Sequence, residues 1–150
     1  MELEAFRLVD RVVSLSRDER RIVLSAAVPL RSTILDAHFP GFPLMPGVLL
    51  IEAMAQASGY LLLALGDAAR MPLLAEVREA KMRASVPPGA ELAVEAALEH
   101  DGSGYAVTRG AIARDGKRVA EAELRLRTVP FPTPELRAGV MAAMQRVGLA

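Results

Sequence analysis

His38-Phe39-Pro40-Gly41-Phe42-Pro43-Leu44-Met45-Pro46-Gly47 runs without a break into Val48-Leu49-Leu50-Ile51-Glu52-Ala53-Met54-Ala55-Gln56, and the apolar run continues to Leu65. Pro46-Gly47 stands where a helix would begin. From there the segment is apolar on nearly every side, and a helix of that kind is expected to be buried on all sides, with other elements wrapped around it. Residues 44–65 are almost long enough to cross a bilayer. Against a membrane span, Pro46 and Gly47 break its start, Glu52 and Gln56 would sit unpaired in lipid, and no basic residues flank it closely. The reading is a core helix.

The wrapping elements show as alternation with period two. In residues 91–99, Leu92, Val94, Ala96 and Leu98 take one face and glutamates share the other. The turn Asp101-Gly102-Ser103-Gly104 leads into a strand over 105–113, and Asp115-Gly116 into one over 118–127, giving an antiparallel meander. Further strands are predicted over 6–15, 21–28 and 73–83, the last closed by Pro87-Pro88-Gly89. The expectation is an α+β fold: a curled antiparallel sheet of five to seven strands around one long apolar helix.

Composition narrows the function classes. A chain of 150 residues, 52% hydrophobic, can fill one core without staples. It has no cysteine, which removes disulfides, thiol nucleophiles and cysteine-ligated metals, and its two histidines, His38 and His100, are too few for a histidine-rich metal site. The 18 basic and 18 acidic residues cancel, so nothing draws the whole chain to nucleic acid or anionic membrane. The acidic start, Met1-Glu2-Leu3-Glu4, is unlike a signal peptide, and a cytoplasmic location is expected.

Several segments together resemble the FabZ-like 3-hydroxyacyl-acyl carrier protein dehydratases, which have the hot-dog fold: Phe6-Arg7-Leu8-Val9-Asp10-Arg11-Val12, His38-Phe39-Pro40-Gly41, Met45-Pro46-Gly47-Val48-Leu49 and Glu52-Ala53-Met54-Ala55-Gln56-Ala57. Val77-Arg78-Glu79-Ala80-Lys81-Met82-Arg83 with Pro88-Gly89, and Val119-Ala120-Glu121-Ala122-Glu123-Leu124, agree as well. The resemblance implies a hydro-lyase that converts (3R)-3-hydroxyacyl-carrier protein to the trans-2-enoyl product in fatty acid or lipid A acyl-chain biosynthesis. It implies no cofactor beyond the carrier's phosphopantetheine. Acyl carrier protein is then the partner, and a homodimer the minimum unit, with the histidine of one subunit facing the acid of the other; the family also assembles three dimers into a hexamer.

That reaction needs a base for the proton beside the thioester carbonyl, an acid for the departing hydroxyl, and stabilisation of an enolate-like oxygen. An imidazole can serve as base while neutral, which makes His38 the candidate; alone it would read as an ordinary loop histidine, as His100 does. Glu52 is the sole carboxylate between Asp36 and Asp67, and its apolar neighbours predict a desolvated setting that favours the protonated acid. Gln56, one turn later, can hold it by a hydrogen bond; a purely structural Glu52–Gln56 pair is the alternative. No capping side chain precedes the helix, which leaves the Gly47 N–H to receive an oxyanion, or water to cap it. The resemblance gives Gly47 the oxyanion role and the Leu44 carbonyl that of orienting His38.

An acyl chain would lie beside the helix, where Met45, Leu49 and Met54 are wall candidates or ordinary core residues. Arg78, Lys81, Arg83, Arg114, Lys117 and Arg118 are candidates for a carrier-facing patch or simply solvated charges. The chain departs from the family pattern at Phe42, where His is common, which predicts a more apolar pocket. It departs again at its end. Residues 1–129 form the predicted hot-dog domain; 130–150 hold a Pro-rich linker and a C-terminal helix packed on it, with Leu136, Val140, Met141, Met144 and Val147 along one side and Gly148 as stop. Phe42-Pro43-Leu44, residues 99–104 and the tail at 127–131 also resemble a branch serving the very-long-chain acyl group of lipid A. A non-catalytic acyl-binding or structural hot-dog subunit is the alternative from another class.

Overall fold

The structure, a computed structural model, describes residues 1–149; Ala150, the end of the predicted 130–150 segment, lies outside the described residues. In chain order the elements are β1 (Arg11–Ser16), β2 (Arg21–Ala27), α1 (Thr33–Ala37), α2 (Gly47–Leu65), β3 (Met71–Met82), β4 (Glu91–Gly102), β5 (Tyr105–Arg114), β6 (Lys117–Val129) and α3 (Pro134–Val147). The six strands form one sheet in the order β1-β2-β4-β5-β6-β3, every pairing antiparallel. The meander β4-β5-β6 turns at Ser103-Gly104 (φ 57° and 80°) and Asp115-Gly116 (φ 49° and 73°), where both residues take the left-handed conformation that suits tight hairpins.

Alternation places one face of each central strand inward. Ile22, Leu24 and Ala26 of β2, Leu92, Val94, Ala96 and Leu98 of β4, and Ala120, Ala122, Leu124 and Leu126 of β6 are buried. Helix α2 lies on this face and contacts β2 through β6. It is long and apolar enough to cross a membrane, and 56% of its apolar window is buried inside the fold. Close approach depends on Gly110, where an added Cβ would stand 2.8 Å from the Met54 Cβ. A hydrogen bond of 2.7 Å between the buried hydroxyls of Ser58 and Thr108 joins helix to sheet.

The chain departs from expectation in four places. The first strand begins at Arg11 rather than Phe6, because Phe6 takes φ 55° in a turn closed by its N–H donating to the Leu3 carbonyl. Helix α1 was not anticipated; Ser32 caps it, its hydroxyl accepting from the Ile34 N–H. Strand β6 runs on to Val129, past the predicted end at 127, since Met71 on β3 gives it a partner. Helix α2 is not buried on every side: one sheet covers one side, which leaves Val48 72% exposed and Glu52, Gln56, Gly59 and Tyr60 half-buried along a stripe.

Strand β3 is the open edge beside that stripe, and it is exposed for most of its length, including Leu73, Leu74, Val77 and Met82. Helix α3 is capped by the Thr133 hydroxyl, which accepts from the Leu136 N–H, and ends at Gly148 with φ 94°. Met144, Val147 and the following Leu149 join the core, while Leu136 and Met141 face outward, so the packed side is narrower than the sequence stripe. The Arg137 Nε donates to the Ala68 carbonyl at 3.1 Å, tying α3 to the segment after α2.

Candidate active site

His38 sits at the C-terminal end of α1. The far end of that helix is held by Glu4, whose Oε1 accepts from the Ser32 hydroxyl (2.7 Å), the Thr33 N–H (2.9 Å) and the Thr33 hydroxyl (3.1 Å). These bonds, led by Ser32, lower the Glu4 pKa to about 2. Sequence reading missed Glu4; its one signal is Ser32-Thr33 ahead of the short helix, with no local indication of a carboxylate arriving from 28 residues upstream.

After His38 the chain makes a tight loop. Phe39 and Phe42 exchange backbone hydrogen bonds (3.1 and 2.9 Å), and Gly41 supplies the positive φ of 77°. The Leu44 N–H donates to the His38 carbonyl at 2.8 Å, and the ring Nδ1 of His38 lies 3.0 Å from the Leu44 carbonyl oxygen. A carbonyl only accepts, so Nδ1 carries the hydrogen and the lone pair of a neutral ring is on Nε2. Phe39 stacks on the ring, with centroids 4.1 Å apart.

The Met45 N–H donates to the Val86 carbonyl, and Pro46 then opens α2 without a capping side chain. The Pro46 carbonyl accepts from the Leu49 and Leu50 N–H groups, whereas those of Gly47 and Val48 reach no carbonyl among the described residues. Met82 lies against Gly47: a Cβ there would be 3.3 Å from its Cγ. One turn further along α2, Glu52 Oε1 accepts from Gln56 Nε2 at 3.1 Å. The same amide nitrogen donates to the Phe6 carbonyl (2.9 Å), and Gln56 Oε1 accepts from the Leu8 N–H (3.0 Å). The bond to Glu52 spans the one helical turn that the sequence spacing offered, whereas the bonds that tie the N-terminal turn to the helix through Phe6 and Leu8 are announced by no sequence spacing.

Two grooves flank this helix start. Glu52 and Gln56 line one of about 380 Å³ between α2, β3 and α3, and Met45, Gly47 and Met82 line another. His38 lines neither. Of the wall candidates, Met45 and Met54 are buried core, Leu49 is half-buried, and Phe42 is 68% exposed on the loop. Among the basic candidates, Arg78 pairs with Glu76, Arg83 and Arg118 share Glu121, and Arg114 reaches Asp115, while Lys81 and Lys117 make no ion pair among the described residues. His100 stacks on Tyr105 away from these groups.

The description of a FabA-like domain matches residues 2–123. The chain belongs to the FabA-like family. The 3-hydroxyacyl-[acyl-carrier-protein] dehydratase FabZ of Symbiobacterium thermophilum is 36% identical over 131 residues, covering 87% of this chain and 92% of that one. FabZ of Pelotomaculum thermopropionicum is 39% identical over 120 residues, covering 79% and 85%. Among solved structures, the dehydratase heterocomplex ApeI:P from Xenorhabdus doucetiae aligns with a TM-score of 0.65 at 17% identity, covering 91% of this chain and 90% of that one. A Streptococcus mutans UA159 protein bound to acetyl CoA aligns at 0.64 and 17% identity, covering 83% and 91%. The fold of this FabA-like chain is the hot-dog fold, helix against antiparallel sheet as the alternation predicted.

Proposed function

We propose that this chain is a hydro-lyase that removes water from 3-hydroxyacyl groups held as thioesters on acyl carrier protein, the activity for which its FabZ relatives are named. His38 Nε2 takes the proton from the carbon next to the thioester carbonyl, and the electron pair becomes the new double bond as the C3–O bond breaks. The leaving hydroxyl takes a proton from Glu52 and departs as water; the proton held by His38 and the one lost by Glu52 balance through solvent. The Gly47 N–H at the uncapped helix start receives the carbonyl oxygen as it gains charge, a donor worth about 3 kcal/mol in such settings. Gln56 positions Glu52, and no cofactor enters any step.

The observation that carries these roles is the exchange between His38 and Leu44, which fixes the ring and turns Nε2 into the basic atom. The working unit in this reading is a homodimer, with His38 of one copy and Glu52 of the other in each site. Its support is threefold: neither groove that flanks the helix start holds both residues, α2 keeps the stripe from Val48 to Tyr60 without cover among the described residues, and the exposed edge β3 offers unpaired backbone and leucines beside it. Three such dimers forming a hexamer, a cytosolic location and a very-long-chain lipid A substrate are narrower readings that rest on the sequence resemblance.

The test is mass spectrometry of water loss from carrier-bound 3-hydroxyacyl thioesters of graded length. His38→Ala and Glu52→Gln are each expected to lower kcat by about 10²–10⁴-fold. Absence of turnover at every length by folded wild-type protein would replace this reading with that of a non-catalytic acyl-binding subunit.

A further inference from the structure

Helix α3 lies beyond residues 2–123 that the FabA-like description matches, and no step of the proposed reaction uses it. It nevertheless forms a wall of the groove that holds Glu52. That groove runs along α2 past Gly59 and Tyr60 to Leu63, with β3 on one flank and Val140 and Ala143 of α3 among its lining. In one chain its volume is about 380 Å³, within the range of small-molecule pockets, and in the dimer reading a second copy covers the same α2–β3 face and completes its walls. Among the described residues that line it, Glu52 alone is charged. A polar end and an apolar remainder are the distribution that a reacting thioester with a hydrocarbon tail requires.

We propose that α3 is the end-stop of the acyl groove, with Val140 and Ala143 setting how long a chain this protein accepts. The proposal rests on the reading that Glu52 stands at the reacting carbons. Glu52 and Leu63 are about eleven helical steps apart, a path of about 16 Å. A C–C bond of about 1.5 Å advances an extended chain by about 1.3 Å, so the tail meets α3 at about twelve carbons beyond the reacting centre. At the middle of the groove Gly59 faces the Pro72 ring, and a Cβ there would make ordinary contact with it at 3.7 Å. Val140 and Ala143 are half-buried, so their side chains define the far wall without being packed out of reach in the core.

The experiment uses the assembled enzyme and carrier-linked 3-hydroxyacyl substrates from four carbons upward. In Ala143→Phe, kcat/KM is expected to fall at least about tenfold for chains that reach α3 while four-carbon turnover stays within about twofold, since a single methylene in an apolar pocket already discriminates by about that factor. Val140→Ala is expected to move the optimum to longer chains. A uniform loss at all lengths, or an unchanged length profile in both variants, overturns the proposal. A second readout is independent of turnover: a carrier-bound acyl analogue with a terminal diazirine is expected to label the peptide that contains Val140 and Ala143. Labelling without turnover would leave the groove assigned and sink the dehydratase reading. Labelling elsewhere would sink the groove, as would Ala143→Phe splitting the assembly with no label on α3, which would give the groove to side chains of a second copy.

Discussion

Replacing Gln56 by leucine keeps side-chain volume and removes three hydrogen bonds at once. The Leu8 N–H, in a fully buried residue, loses its only acceptor among the described residues, which costs about 1–3 kcal/mol. The Phe6 carbonyl and Glu52 Oε1 lose a donor but can turn to water, which brings the total to about 2–4 kcal/mol. Urea unfolding at one fixed protein concentration measures this, because self-association would otherwise shift the midpoint. The reasoning is refuted if Gln56→Leu costs less than about 0.5 kcal/mol, the level of an ordinary surface change.

Gly110→Ala is expected to destabilise by about 1–3 kcal/mol, because its new Cβ would press on Met54 at 2.8 Å. Met54→Ala should not rescue it, since the Met54 Cβ is itself the nearest atom; a double variant more stable in urea than Gly110→Ala contradicts this packing. Glu4, with a folded pKa of about 2 against an ordinary 4.5, contributes stability that is present above pH 4.5 and lost as pH falls towards 2. The urea midpoints of wild type and Glu4→Gln should therefore converge over that interval, and a gap that stays constant down to pH 2 would exclude the Glu4 charge as its source.

Strands β4 and β6 were legible because their inward residues alternate with charged ones over nine residues or more, a pattern that side-chain geometry alone converts into strands. The long helix was legible from its length and its Pro46-Gly47 start. What the sequence hid was contact at a distance: Glu4 reaching Ser32, and Gln56 holding Phe6 and Leu8, depend on where the N-terminal turn lands, which no local period encodes. The expectation that α2 is enclosed failed for a related reason. Hydrophobicity reports that a face avoids water without saying whether its cover comes from the same chain, and here the stripe of Val48, Glu52 and Tyr60 lies outside the reach of the one sheet. On α3 the apolar stripe named five residues, but the helix angle buries Met144 and Val147 and leaves Leu136 and Met141 outside.

The account stands most directly on whether one site draws His38 and Glu52 from two copies. His38→Ala and Glu52→Gln chains, each folded and inactive alone, should regain activity when mixed and allowed to exchange subunits. Random pairing in a two-fold dimer makes half of the dimers mixed, each with one intact site of two, so recovery should approach about a quarter of wild-type turnover. Mixed dimers, verified by mass, that recover no turnover would contradict the shared site.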